Sequence, residues 1–184
     1  MSDPQIVWLR RDRRMADNPA LYYAAQAGPV VAVYVLDDEA PGRHAMGGAA
    51  RWWLHHSLQS LGKSFGQRNS RIILRRGDAV EELTAVANSV GAKTIHANRH
   101  YEPWWRKQQG ALRDEIDLQL YDGNYLFPAG HVTTGSGDPY KIYTPFLRSM
   151  RQAFPPRDPL PEPETLSSPD DWPASDDLDD WNLL

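Results

Sequence analysis

Two short stretches of the sequence hold side chains of the types that bind a planar organic ligand. Aromatic rings offer stacking surfaces, while carboxylate, amide and guanidinium groups place hydrogen-bond donors and acceptors around such a ligand. The first stretch follows a continuous apolar run at 30–36, and the second follows a shorter run at 94–97. The side chains of these types are Asp37, Asp38, Arg43, His44 and Arg51 in the first stretch, and Asn98, His100, Tyr101, Glu102, Trp104 and Trp105 in the second, and they are candidates to bind a ligand where the strands end.

A third polar stretch follows the apolar residues 6–9 and contains Arg10, Asp12, Arg14 and Asn18. Asn18 is a favourable N-cap residue and the proline after it suits the first position of a helix, so the sequence predicts that a helix begins there. A solvated turn would account for the charged side chains that precede this helix.

No residues of this chain form a recognisable catalytic motif. The sequence has neither a Gly-x-Ser-x-Gly motif nor a phosphate-binding Walker loop. Its six histidines lack the spacing of metal ligands, and the absence of cysteine excludes disulfides, thiolate metal sites and cysteine nucleophiles. We therefore predict no catalytic residue and no metal site in this chain.

Five β-rich runs alternate with segments of helical character along the chain. The runs lie at 6–9, 30–36, 71–74, 94–97 and 118–121, and a last amphipathic helix is predicted over 144–154. Because parallel strands need crossover connections, this pattern predicts an α/β fold, a doubly wound, Rossmann-like five-stranded parallel sheet with helices on both faces. Ligands of such sheets bind at the carboxyl ends of the strands, where the three polar stretches lie.

The composition divides the chain into a domain at 1–154 and a tail at 155–184. The tail has seven prolines and nine acidic residues against a single arginine, a net charge of −8, whereas residues 1–154 carry +4. Proline and repulsion between like charges extend a chain, so we interpret 155–184 as an acidic, proline-rich interdomain linker. Its apolar residues are expected to dock on another surface; they are Trp172, Trp181, Leu183 and Leu184.

The sequence predicts a cytoplasmic protein without a membrane partner. No apolar run has the length of a transmembrane helix. Asp3 and Pro4 stand where a secretory signal would have basic and then apolar residues.

Three motifs stand in a fixed order along the chain. The first motif follows the first strand and consists of Arg10, Asp12, Arg14 and Asp17-Asn18. The second follows the fourth strand and is Tyr101-Glu102-Pro103. The third consists of Gly137-Asp138-Pro139-Tyr140 and, shortly after it, Tyr143-Thr144-Pro145-Phe146. With these motifs the chain resembles the N-terminal α/β domain of the photolyase/cryptochrome family over roughly residues 5–155. Arg13 stands where the family usually has leucine.

The resemblance implies that this chain is one part of a light-driven enzyme. The parent would be a deoxyribodipyrimidine photolyase, which repairs UV-induced pyrimidine dimers in DNA with an electron from FAD held in a helical C-terminal domain. That domain is missing from these 184 residues, so this chain would be the antenna half, inactive in repair alone. Its partners would be the missing domain and, through the parent, damaged DNA. The resemblance also implies an interdomain network formed by Arg10, Asp12, Arg14 and Asn18.

The resemblance further implies an antenna pigment at the strand ends and leaves its identity open between deazaflavin, FMN, methenyltetrahydrofolate and no pigment. Folate-using members have an Asn-Glu pair where this chain has Trp104 and Trp105, although His44 matches a histidine that they place near the pigment. Glu102 followed by proline agrees with deazaflavin-type members, which have aspartate where His100 stands.

Three alternative functions remain open at this point. A cryptochrome, a signalling photoreceptor, would share this domain and differ in its C-terminal domain. A light-independent nucleotide-binding module would have the same layered architecture and would bind an adenine nucleotide. A purely structural domain would leave its pocket empty and would associate through exposed apolar surface.

Overall fold

A parallel sheet of five strands forms the centre of the computed structural model, which describes residues 2–184. The strands are β1 (Gln5–Leu9), β2 (Val30–Leu36), β3 (Ile72–Arg76), β4 (Thr94–Asn98) and β5 (Asp117–Tyr121), in the order β3-β2-β1-β4-β5. The predicted doubly wound α/β fold is confirmed. The chain order reverses between β1 and β4, which favours a ligand crevice at their carboxyl ends.

Five α-helices connect or follow the strands within residues 2–184. They are α1 (Pro19–Ala27), α2 (Gly48–Gly66), α3 (Ala79–Val90), α4 (Pro103–Glu115) and α5 (Tyr143–Gln152). Asn18 caps α1 as predicted, because its side chain accepts a hydrogen bond from the backbone N–H of Leu21. Helix α5 ends at Gln152 rather than at Phe154, since the proline that follows disfavours helical geometry at Phe154. Within residues 2–184, no helix combines the length and the apolar character needed to cross a lipid bilayer.

Alternate residues of β1 face opposite layers of the core. Ile6 and Trp8 pack in the layer that α3 and α4 cover, whereas Val7 and Leu9 pack in the layer that α1 and α2 cover. Every residue of β1 and β2 is buried, as expected of central strands in a sheet covered on both faces. The polar side chains that follow these strands are therefore gathered at the carboxyl edge of the sheet.

The acidic tail runs back over the α/β domain. Leu166, Trp181 and Leu183 are buried in the same core layer as α1 and α2. The backbone N–H of Asp176 donates to the carbonyl of Leu74 in β3 at 2.9 Å. Trp172 is partly buried against the core layer of α3 and α4. Three of the four apolar tail residues thus dock as expected, and the surface they dock on belongs to this domain, whereas Leu184 is exposed. The linking role of the segment stays a prediction.

Candidate functional site

A cavity of about 90 Å³ opens at the carboxyl edge of the sheet, beside the first turns of α4. Residues at the ends of β1 and β2 bound it, together with the loop around a short 3-10 turn at Gly42–His44. Four of the predicted binding residues line this cavity; they are Asp37, His44, Trp104 and Trp105. The cavity lies where the strand-end rule for α/β sheets places a ligand.

Rings from the loop after β2, the loop after β4 and the start of α4 form a continuous aromatic wall. His44 lies nearly parallel to Trp104, with 5.8 Å between the ring centroids and 21° between the ring planes. Trp104 lies 5.6 Å from Trp105, and Trp105 lies 4.5 Å from His100, again between centroids. Both tryptophans are half-buried, so part of each ring remains available to stack on a planar ligand.

Asp37 is held at the end of β2 by three hydrogen bonds. Its Oδ1 accepts from the backbone N–H groups of Glu39 and Ala40, and its Oδ2 accepts from Nε2 of Gln108 at 2.6 Å. Gln108 lies four positions after Trp104, so α4 presents both side chains to the same cavity. The Oε1 atom of Gln108 is buried and has no hydrogen-bond partner among the described residues.

Arg10 bounds the cavity from the end of β1 and is only 4% exposed. Its guanidinium carbon lies 4.0 Å from the centroid of the Trp8 ring, and its Nη2 donates to the backbone carbonyl of Asn98. Burial lowers the pKa of Arg10 to about 10, against the opposing effect of the Asp12 and Glu102 carboxylates. The side chain is therefore charged at neutral pH, and its Nε and Nη1 lack partners within residues 2–184.

The unpartnered polar atoms of the cavity residues fit a ligand with polar atoms on its edge. They are Nε and Nη1 of Arg10, Nε of Arg13 and Oε1 of Gln108. A buried polar atom without a hydrogen bond costs about 1 to 3 kcal/mol, which a ligand can remove by supplying the partner. Pterins and flavins, the pigment classes that the resemblance implies, are planar rings of this kind. The residue types present therefore fit the chemistry of such a pigment, and the cavity of about 90 Å³ must widen to admit its ring system.

A second polar region lies beside the cavity, and its side chains are hydrogen-bonded to one another. We call its residues the buried network; they are Asp12, Asn18, Asn98 and His100. Nδ2 of Asn98 donates to Oδ2 of Asp12 at 2.6 Å and to Oδ1 of Asn18 at 2.7 Å. Its Oδ1 accepts from the backbone N–H of Ala20 at 3.2 Å, and Nε2 of His100 lies 3.5 Å from Oδ1 of Asp12. The buried network ties the loop after β1 to the start of α1 and to the end of β4.

The carboxyl group of Asp12 is ionised despite its burial. Burial raises its pKa, but the hydrogen bond with His100, the charge of Arg10 and the hydrogen bond from Asn98 together lower it further, so the net pKa lies below the ordinary value. The negative charge of Asp12 thereby compensates the positive charge of Arg10 inside the protein.

The residues that the resemblance assigns to a domain interface have partners within this domain. Arg10, Asp12 and Asn18 are almost fully buried, and half-buried Arg14 donates to the backbone carbonyls of Asp17 and Gly123. The solvated-turn interpretation is wrong for Arg10 and Asp12, because their side chains are buried, at 4% and 2% exposure. A contact of this region with a further domain stays a prediction.

Asp38 and Arg51, also predicted to bind a ligand, lie next to the cavity without lining it. They form an ion pair, and Asp38 also accepts from Arg76 at 3.0 Å. Asp38 lines an adjoining open depression of about 970 Å³, which meets the cavity at Asp37 and Trp104. Their role in binding stays a prediction.

The remaining predicted residues contact other groups. Exposed Arg43 donates to Nε2 of His44 at 3.3 Å, and the hydroxyl of Tyr101 donates to Asp122 at 3.3 Å. Oε1 of Glu102 pairs with Arg11 at 2.6 Å. Asn98 and His100 belong to the buried network. Among residues 2–184, no three histidine, aspartate or glutamate side chains are grouped so that they could hold a metal ion.

Sequence reasoning missed several further cavity residues, among them Trp8, Arg13, Tyr34 and Gln108. Two of them have a recognisable signal. Gln108 follows Trp104 at the spacing that places two side chains on one helix face, and Trp8 precedes Arg10 by the two residues that place side chains on one face of a strand. Tyr34 and Arg13 have no local signal, because they meet only through the pairing of β1 with β2.

Comparison of the sequence with known proteins finds one family over most of the chain. The family model described as DNA photolyase matches residues 5–164. The chain is 37% identical over 187 residues to the deoxyribodipyrimidine photo-lyase of Agrobacterium fabrum, an alignment that covers 98% of this chain and 38% of that protein. It is 34% identical over 172 residues to cryptochrome-1 of Arabidopsis thaliana, covering 90% of this chain and 25% of that protein. The chain therefore spans well under half the length of these relatives.

Solved structures show the same similarity. The crystal structure of a bacterial class III photolyase from Agrobacterium tumefaciens matches with a TM-score of 0.91 at 37% identity, covering 100% of this chain and 39% of that one. An archaeal photolyase from Sulfolobus tokodaii, solved with two FAD molecules, matches with a TM-score of 0.79 at 21% identity, covering 98% of this chain and 41% of that one. The second similarity concerns the fold alone.

Proposed function

Because this chain belongs to the DNA photolyase family, we propose that it is the light-harvesting antenna domain of a deoxyribodipyrimidine photolyase. Members of the family bind FAD and antenna chromophores, and this chain matches their N-terminal domain. The proposal assigns the cavity beside α4 to a planar antenna pigment, which the residues of this cavity would hold and which would supply light absorption when bound.

One observation carries the proposal: stacking rings and unpartnered polar atoms occur in the same cavity. Trp104 and Trp105 offer ring faces, and Arg10 and Gln108 offer a charged donor and an acceptor that the protein itself does not use. A pigment held between them would keep one orientation and would be shielded from water. A fixed orientation is what transfer of excitation to a second chromophore requires.

The proposed parent is a lyase that repairs UV-induced pyrimidine dimers in DNA by light-driven electron transfer from FAD. This chain spans 38% of the length of its Agrobacterium fabrum relative. We therefore assign the repair activity of the parent to a helical C-terminal domain outside this chain. We propose accordingly that this chain alone does not repair DNA, and that it contacts damaged DNA only through the parent.

The pigment is proposed to be methenyltetrahydrofolate, FMN or a deazaflavin. The test is to incubate the purified chain with each compound in turn, remove the unbound compound by gel filtration, and record the absorption spectrum. We expect one compound to be retained with its near-ultraviolet or blue band.

Two tryptophan variants test whether the retained pigment occupies this cavity. Trp105→Ala should abolish retention, because it removes part of the aromatic wall. Trp53→Ala is the matched control, since Trp53 is 64% exposed on α2 and does not line the cavity. Absence of every pigment from the wild-type chain, or equal retention by both variants, would contradict the proposal.

A cryptochrome-type photoreceptor is the second candidate, supported by the 34% identity to cryptochrome-1 of Arabidopsis thaliana. An antenna pigment in this cavity would serve either parent. The two differ in chemistry, so the discriminating measurement is illumination of the complete parent protein with an oligonucleotide that contains one pyrimidine dimer. Restoration of the intact bases identifies a photolyase, whereas an unchanged dimer favours the photoreceptor.

A further inference from the structure

We infer that the cavity selects ligands with a lactam edge, a ring N–H beside a ring carbonyl, and that Gln108 accepts the hydrogen bond from this N–H. The inference rests on the proposed function and deepens it, because it names the group by which a pigment is recognised. Pterin and flavin rings both have a lactam edge, so the inferred chemistry is common to the candidate pigments.

The amide of Gln108 has a single orientation in this cavity. Its Nε2 lies 2.6 Å from Oδ2 of Asp37, and a carboxylate accepts hydrogen bonds without donating them, so the amino group must face Asp37. Asp37 is held in turn by the backbone N–H groups of Glu39 and Ala40. The Oε1 atom of Gln108 therefore faces away from Asp37, where it is buried, unpartnered within residues 2–184 and able only to accept.

Two arginines that line the same cavity impose the opposite requirement. Guanidinium groups only donate. Nη2 of Arg10 donates to the carbonyl of Asn98, and Nη1 of Arg13 donates to the carbonyl of Arg10 at 2.7 Å. The Nε atoms of both arginines and Nη1 of Arg10 remain without partners in the described chain. A ring carbonyl would supply the missing acceptor, and the positive charge would strengthen the bond.

A lactam edge satisfies both requirements on neighbouring atoms of one planar ring, whose faces Trp104 and Trp105 can cover. Methylation of the lactam nitrogen removes the donor while preserving the ring, the carbonyls and the stacking surface. Oε1 of Gln108 would then be buried against the ligand without a hydrogen bond, which weakens binding. Asp37 acts as a positioning residue, since it fixes which end of the Gln108 amide faces the ligand.

The experiment compares two ring systems with their methylated analogues. The probes are lumiflavin and pterin, each paired with the analogue methylated on the lactam nitrogen, and the dissociation constants are measured by fluorescence titration of the purified chain. For the ring class that binds, we expect the unmethylated compound to bind at least about tenfold more tightly than its analogue. Which of the two classes binds distinguishes a flavin-type from a pterin-type pigment.

Three variants test the assignment to Gln108. Gln108→Leu removes the acceptor at nearly constant volume and should bring the affinity ratio close to one. Gln109→Leu is the matched control, because Gln109 is equally buried at 6% exposure, bonds to the backbone carbonyl of His100 and does not line the cavity; it should keep the ratio. Asp37→Asn allows the Gln108 amide to turn and should lower the ratio, which keeps the inference testable if Gln108→Leu does not fold.

The outcomes separate the inference from the proposed function. A ratio near one in the wild-type chain, or an unchanged ratio in Gln108→Leu or Asp37→Asn, overturns the lactam inference and leaves the pigment site standing. Failure of the wild-type chain to bind either ring overturns the proposed pigment site and this inference with it.

Discussion

The two polar regions at the carboxyl edge of the sheet differ in how completely their side chains are bonded. In the buried network, the amide of Asn98 donates to Asp12 and Asn18 and accepts from the backbone of Ala20. In the cavity, the amide of Gln108 is also buried but bonds only to Asp37. Bonded buried groups stabilise a fold, whereas unbonded ones lower its stability and are typical of binding sites. Under the proposed function, we expect the bonded residues to serve the fold and the unbonded residues of the cavity to serve a ligand.

Arg10 connects the two regions. Its Nη2 is bonded to the last residue of β4, whereas its Nε and Nη1 are buried without partners in the described chain, and the residue lines the cavity. Its charge is compensated by Asp12 from the buried network. The network therefore makes it possible to keep a buried, charged hydrogen-bond donor at the ligand cavity.

The largest expected effect comes from Asp12→Asn. This change leaves the charge of Arg10 buried without its compensating carboxylate, and loss of one partner of a buried pair lowers the free energy of unfolding by about 3 to 5 kcal/mol. Urea denaturation monitored by tryptophan fluorescence measures the loss. Asp37→Asn, at the half-buried cavity carboxylate, is the control and should cost about 1 kcal/mol. Equal losses in the two variants would remove the distinction between the regions.

The second prediction concerns the pH dependence of stability. Because the pKa of Asp12 is lower in the folded protein than in the unfolded chain, its stabilising contribution is complete above the unfolded-state pKa of about 3.9 and is lost as the pH falls through the folded-state pKa. Urea midpoints measured from neutral to acidic pH should therefore fall more in the wild-type chain than in Asp12→Asn. Parallel curves for the two proteins would show that Asp12 is not the responsible carboxyl.

The third prediction compares the two buried amides directly. Asn98→Leu removes bonds to a carboxylate and to a backbone N–H, so it should lower the free energy of unfolding by about 3 kcal/mol. Gln108→Leu loses one bond but also removes an unbonded oxygen, so the free energy should change by no more than about 1 kcal/mol. Both variants are measured by urea denaturation without ligand. A larger loss in Gln108→Leu than in Asn98→Leu would reverse the interpretation of the two regions.

The fold was predictable where the signals are local. The apolar run at 30–36 forms β2 within the predicted bounds, and Asn18 caps α1 as its residue type predicts. Burial on both faces makes central strands continuously apolar, and that pattern requires no knowledge of their neighbours. The surface on which Leu166 and Trp181 of the acidic tail dock depends on long-range packing, which composition alone does not record.

The site was predictable only in part, because residue type does not reveal bonding partners. Asn98 and Gln108 have the same functional group, but Asn98 was predicted to bind a ligand and lies in the buried network, while Gln108 was missed and lines the cavity. The network exists because β4 lies beside β1, an arrangement that the alternation of strands and helices leaves undetermined. His44 and Trp104 were predicted to lie together because loops after parallel strands meet at one edge.

The smallest expected effect is at the ion pair of Arg11 with Glu102, on the surface beside both regions. The pair is short, at 2.6 Å, but the side chain of Arg11 is 64% exposed, so water and salt screen the attraction. Arg11→Ala should lower the free energy of unfolding by at most about 1 kcal/mol, and less at high salt. A double-mutant cycle with Glu102→Gln isolates the pair from the contact of Arg11 with Trp105. A coupling energy as large as the loss in Asp12→Asn would mean that charge alone, rather than burial and bonding together, decides which polar residues stabilise this edge of the sheet.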